Sequence, residues 1–147
     1  MSDPKQLAQV LSMADKALEK AALDLRSAHS AVQALKQQLT QLQNYRWDYV
    51  KQAQQQAGTT LQASHYQQYH HFIAKLDAAI TQHIARVRQA EAAAQQRQTL
   101  WQQAHQRQQA IALLLEKNRT RAAALAEKRS QRELDEFALQ QFVRRQR

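Results

Sequence analysis

The sequence predicts an all-α protein, a long two-helix antiparallel coiled-coil hairpin with an overhanging C-terminal helix. Three observations predict it. Apolar residues recur at heptad spacing over two long stretches, the period at which helices wind around one another. Gln and Ala supply 28 and 27 of the 147 residues while Gly and Pro occur once each, a composition of long helices rather than of a packed globular core. The lone glycine, Gly58, separates the two stretches and is followed by Thr59 and Thr60. A helix passes through one Gly at a cost of about 1 kcal/mol, but a fresh helix start follows soon after, so Gly58 reads as the tip of a hairpin. The expectation is one coiled-coil domain over residues 1–147, with helix one at about 4–57, the turn at about 58–63 and helix two at about 64–143.

Helix one has a clear start. Asp3 can cap, Pro4 at the first helical position forgoes no needed hydrogen bond, and Gln6 stands at capping-box spacing. Apolar residues then step by four and three, with Leu11, Leu18, Leu25, Val32 and Leu39 at a positions. The d positions are Leu7, Ala14, Ala21, Ala28, Leu35 and Leu42. A strict seven-residue repeat imposes a left-handed supercoil on a partner helix, and the consecutive d-position alanines admit that partner closely. Toward the turn the seam becomes polar and aromatic, at Arg46 and Tyr49.

Helix two restarts near Ser64, with Gln67 three residues on. Its seam is noisier. It runs Tyr66, Tyr69, Ile73, Leu76, Ile80, His83, Val87, Ala90 and Ala94, then Arg97, Trp101, Ala104, Gln108, Ile111 and Leu115, with Ile84 widening one side. Four polar seam positions of the two helices (Arg46, His83, Arg97 and Gln108) are expected to soften the rod, each forgoing the roughly 1.5–3 kcal/mol of a buried Leu. One antiparallel register, pairing residues whose numbers sum to 118 or 119, satisfies both seams. It sets Tyr49 by Tyr69, Leu42 by Leu76, Val32 by Val87 and Ala14 by Ala104, and it seats Trp101 among small residues, as a packed seam wants.

The arms are unequal. Helix one ends opposite residue 114 or so, leaving some thirty helix-prone residues unpaired, with Leu114, Leu115, Leu125, Leu134, Phe137, Leu139, Phe142 and Val143 among them. An overhang that exposes two phenylalanines is a partner-binding element. Charge gathers there too: of the net +9, residues 97–147 hold +6, with 11 Lys/Arg against 5 Asp/Glu. A basic end suggests an acidic partner.

Several functions are set aside. The chain has no Cys, no Gly-rich phosphate loop and no His-Glu metal motif. His65, His70 and His71 cluster near the turn, but neighbours at 70 and 71 point about 100° apart on a helix. No enzyme, metal or cofactor is expected. Lys117, Arg119, Arg121, Lys128, Arg129 and Arg132, with Arg144, Arg145 and Arg147 at the end, could line a nucleic-acid groove. They alternate with Glu116, Glu127, Glu133, Asp135 and Glu136, which suits i,i+4 ion pairs on an exposed helix rather than the dense basic run of a zipper protein. No nucleic acid is expected. The longest apolar run, 110–115, falls far short of a membrane span, and the N-terminus lacks a signal-peptide core; a soluble protein is expected.

The run from Tyr66 to His83, with its Tyr-x-x-Phe-Ile-x-x-Leu…Ala-Ile-x-x-His pattern, resembles a hallmark of the flagellar FliJ family. So does the tail Arg132-Glu-Leu-Asp-Glu-Phe-Ala138. Length, the Gly-containing turn and the basic C-terminal helix agree, so the resemblance spans nearly the whole chain. It implies a stalk-like component of the flagellar type III export apparatus, cytoplasmic and peripheral to the inner face of the membrane at the flagellar base. Its partners would be the hexameric export ATPase, whose pore receives the terminal ends, the cytoplasmic domain of the membrane export gate, and export chaperones. On that likeness Phe72, Leu76, Ala79 and His83 match the gate-facing patch, one stripe of one helix at i, i+4, i+7 and i+11. Arg119, Arg121, Leu125, Lys128, Arg132, Phe137 and Phe142 are the candidates for the ATPase ring, placing the two sites at opposite poles. The tail departs from the family in carrying Phe142 and Val143 before Arg144 and Arg145. A monomer is expected when the chain is alone. Two alternatives stay open, the stalk of a virulence-type secretion system and a self-associating coiled-coil scaffold.

Overall fold

The computed structural model describes residues 3–56 and 63–146, with the side chains of residues 63 and 64 excepted. The expected turn at Gly58 lies outside the described residues, as does the side chain of the expected cap, Ser64. Two helices account for nearly everything described: α1, Pro4–Gln56, and α2, Ala63–Arg145. They pack against each other as a two-helix hairpin, and no strand occurs among the described residues.

The start of α1 follows from its sequence. Asp3 accepts from the backbone N–H of Lys5 through Oδ1 at 3.1 Å, and its carbonyl accepts from Leu7 at 3.0 Å. An otherwise orphaned helical donor is thereby satisfied. At the other end of α2, Arg144 and Arg145 occupy the last turn, where cations complement the negative end of the helix dipole. Thr40, Thr81, Thr99 and Thr120 each return their hydroxyl to the carbonyl four residues earlier, sharing an acceptor of the helix ladder so that each hydroxyl is satisfied within the helix.

Packing divides into two compact units, residues 20–102 and residues 1–19 with 103–147. In the first, Val32, Leu76, Val87 and Ala94 are buried, flanked by half-buried Leu25, Leu35, Leu39, Leu42, Ile73, Ile80 and Ile84. Tyr49 stacks on Tyr69 with ring centroids 5.5 Å apart, the pair that the register expects. In the second, Leu7, Ala14 and Leu115 are buried, and Ala14 and Ala104 line one apolar groove with Val10 and Met13. Every heptad a and d residue assigned to helix one is buried or half-buried.

The noisier seam of α2 departs from expectation twice. Arg97 is exposed and Gln98 takes the half-buried place, because a neutral amide is desolvated more readily than a guanidinium. Tyr66 is 60% exposed and sits edge-on to His70, with centroids 4.2 Å apart. The other three polar seam residues all bridge α1 and α2. Arg46 donates to Asp77 from Nε at 2.6 Å and from Nη2 at 3.4 Å. His83 Nε2 lies 3.1 Å from Gln38 Oε1, and Gln108 donates to Asp15 at 3.1 Å. With Lys36–Glu91 at 3.3 Å, these bridges supply hydrogen bonds at places where a leucine would supply only area.

Candidate functional site

The four residues of the candidate gate patch lie on one stretch of α2, and the structure adds α1 to them. Leu76 is buried; Phe72, Ala79 and His83 are half-buried. Phe72 meets Tyr45 edge-on at 6.1 Å and Tyr49 at 4.6 Å between centroids. Tyr49 in turn stacks on Tyr69, and His83 is held by Gln38. The patch is therefore a two-helix surface in which Gln38, Tyr45 and Tyr49 flank the α2 stripe. Edge-to-face and offset rings add about 0.5–1.5 kcal/mol per pair beyond their buried area, so the cluster is a firm platform. Tyr45 remains 53% exposed upon it.

Next to the patch the Arg46–Asp77 bridge sets the local electrostatics. The hydrogen bond from Arg46, with its positive charge, holds the Asp77 carboxyl below its ordinary value, and Arg46 is raised in return. Both groups face solvent, so the pair orients side chains more than it stabilises the fold. Closer to the turn, an open groove of about 330 Å³ is lined by Tyr49, Gln52, His65, Tyr66 and Tyr69, without a carboxylate on its walls.

The ring candidates occupy the last part of α2. From Arg119 to Gln146 every residue is exposed, yet the chain stays helical through Arg145. Leu125, Leu134, Phe137, Leu139, Phe142 and Val143 are 48–64% exposed. At about 100° per residue, Leu134 and Phe137 share one side of the helix, while Phe142, Leu139 and Val143 lie about 80°, 140° and 180° around from Leu134. The expected i,i+4 ion pairs do not form. Among the described residues, ion pairs within 4.0 Å are Lys36–Glu91 and Arg46–Asp77, and the tail shows instead Gln131 donating to Asp135 at 3.3 Å.

Residues 4–147 match the family model described as "Flagellar FliJ protein". The chain belongs to the flagellar FliJ family. It is 31% identical over 146 residues to the flagellar FliJ protein of Escherichia coli (strain K12), covering 99% of each chain. No solved structure matches. As a FliJ-family protein the chain is a component of the flagellar export apparatus. Among its described residues no helix is long and apolar enough to cross a membrane. Sequence reasoning for this FliJ-family chain missed Gln38 and Tyr45 because neither is a seam position. Their signal was their place beside the seam, and it becomes readable only once the helices are set against each other.

Proposed function

We propose that this chain is a non-enzymatic stalk and adaptor of the flagellar export apparatus. It couples the export ATPase ring to the cytoplasmic domain of the membrane export gate and escorts export chaperones, at the inner face of the membrane at the flagellar base. The observation that carries this reading is the exposed end of α2, apolar on both sides at Leu134–Phe137 and at Leu139–Val143. A helix that meets a second helix needs one apolar stripe; one whose large apolar residues spread over about 240° needs more than one contact surface. A pore meets that need and a zipper does not, which favours the stalk over the self-associating scaffold. The aromatic patch supplies the gate contact, with Phe72, Ala79 and His83 joined by Tyr45 and Tyr49.

The test is a pull-down with the export ATPase hexamer, comparing the full chain with a truncation before Ala122. Ring binding by the full chain alone is expected; undiminished binding and export by the truncated form would overturn insertion of this end. For the gate, Tyr45→Ala should weaken capture of the gate's cytoplasmic domain about tenfold while helicity is retained. Leu76 is buried, so its substitution reports on the seam and not on the partner. Light scattering of the isolated chain should give a monomer; a dimer favours the scaffold.

A further inference from the structure

Leu114, Lys117, Arg121, Leu125, Lys128 and Arg132 follow one another at spacings of three and four along α2, and all are exposed. At about 100° per residue they fall within a stripe about 80° wide, and Lys117 to Arg132 extends about 22 Å. Glu116 and Glu127 are turned about 120° away from it. Among the described residues, none of the four cations lies within 4.0 Å of a carboxylate. Asp135 and Glu136 close the stripe at its C-terminal side by reversing its sign. Unpaired cations of one sign, lined up on one side of an ordered helix, are an electrostatic template.

We infer that this stripe docks an acidic helix lying alongside residues 114–132, with Glu or Asp at matching i, i+4, i+11 and i+15 positions. The stripe's width is that of one helix face; Leu125 lies between the cations and Leu114 precedes them, so apolar contact can accompany charge pairs like those made at the edges of a coiled-coil interface. An anionic membrane is the poorer match. Surface-lying helices embed one broad apolar face, and here the large apolar residues beyond Arg132 are split between two sides. The inference goes beyond the stalk reading: it divides the end of α2 into a one-sided charged segment and an apolar tip that is surrounded. One partner can dock on the first while another encloses the second.

The experiment uses the full chain and a synthetic lactam-braced helical peptide carrying Glu at those four positions with Leu between them. The stripe variant is K117Q/R121Q/K128Q/R132Q; a control of equal charge change is R119Q/R129Q/R144Q/R145Q, which lies off the stripe. All eight positions are exposed and Gln is a good helix former, so helicity by circular dichroism should be unchanged. The peptide should bind the full chain and the control alike, and bind the stripe variant about tenfold more weakly, with affinity falling as salt rises. Equal weakening by both variants would reduce the stripe to bulk charge and overturn the proposal. So would absence of peptide binding, or binding to phosphatidylglycerol vesicles in preference to the peptide. Ring capture by the F137A/F142A variant reads the tip separately, so failure of the stripe and failure of the stalk reading are distinguishable.

Discussion

Helix α2 contains two stretches of similar composition in opposite circumstances. Between Tyr69 and Asn118 a residue is buried or half-buried every three or four positions, whereas from Arg119 to Gln146 none is. Both are free of Gly and Pro and rich in Ala, Gln, Leu and Arg. The difference teaches that the helix is maintained in two ways. In the first stretch, burial against α1 stabilises it; in the second, intrinsic propensity does, through Ala122–Ala124, Ala126 and their long-chain neighbours.

That contrast can be broken or sharpened by measurement. The largest expected effect is in amide hydrogen exchange, where protection should fall by orders of magnitude from the neighbourhood of Leu76 and Val87 to that of Leu134. Uniform protection would mean that the end of α2 has tertiary support in solution. Next comes truncation of a leucine in each stretch. Leu76→Ala should cost about 2–4 kcal/mol in urea unfolding, and Leu134→Ala should stay within about 0.5 kcal/mol. Comparable costs would erase the distinction. Smaller still, Gln108→Leu should raise stability by about 1 kcal/mol by placing apolar area in a half-buried site, measured as a shift in the unfolding midpoint. The smallest effect concerns Asp77. Its carboxyl has a lower pKa in the folded chain than in the unfolded one. Its contribution is therefore fully present above the unfolded value and fades as pH falls through the folded one. Melting curves below the ordinary carboxylate value of 3.8 should show a slight decline that Asp77→Asn abolishes.

Much of the fold was legible because a heptad repeat is a long, redundant signal. Leu11, Leu18, Leu25, Val32 and Leu39 need no knowledge of the partner to be placed inward. The misassigned positions were those where the repeat itself carries little information. Between Ala94 and Trp101 the apolar residues are sparse, so a step of three or of four leads equally well to Trp101, and only packing selects Gln98 over Arg97. Polar bridges were invisible for a different reason. Arg46 finds Asp77 and Gln108 finds Asp15 through side chains long enough to depart from the seam register, and pairing rules for a and d positions say nothing about them. Of the proposed gate patch, the shared stripe on α2 was legible from spacing and its α1 neighbours were not. The spread of Leu134, Phe137, Leu139 and Phe142 over about 200° of the helix could be read from spacing alone. Nothing in the structure explains the 68% exposure of Trp47.

The thinness of the seam has a thermodynamic consequence. Among the described residues no large side chain is fully buried, and the best-covered positions, Ala14, Ala94 and Leu115, still keep 6% of their surface. Unfolding therefore hydrates little new hydrocarbon, and that hydration is the source of the heat-capacity increment that curves a protein's stability with temperature. The increment per residue should fall well below the roughly 12–15 cal/mol/K of globular proteins. The chain should accordingly have a flat stability curve, a broad melt and little tendency to denature in the cold.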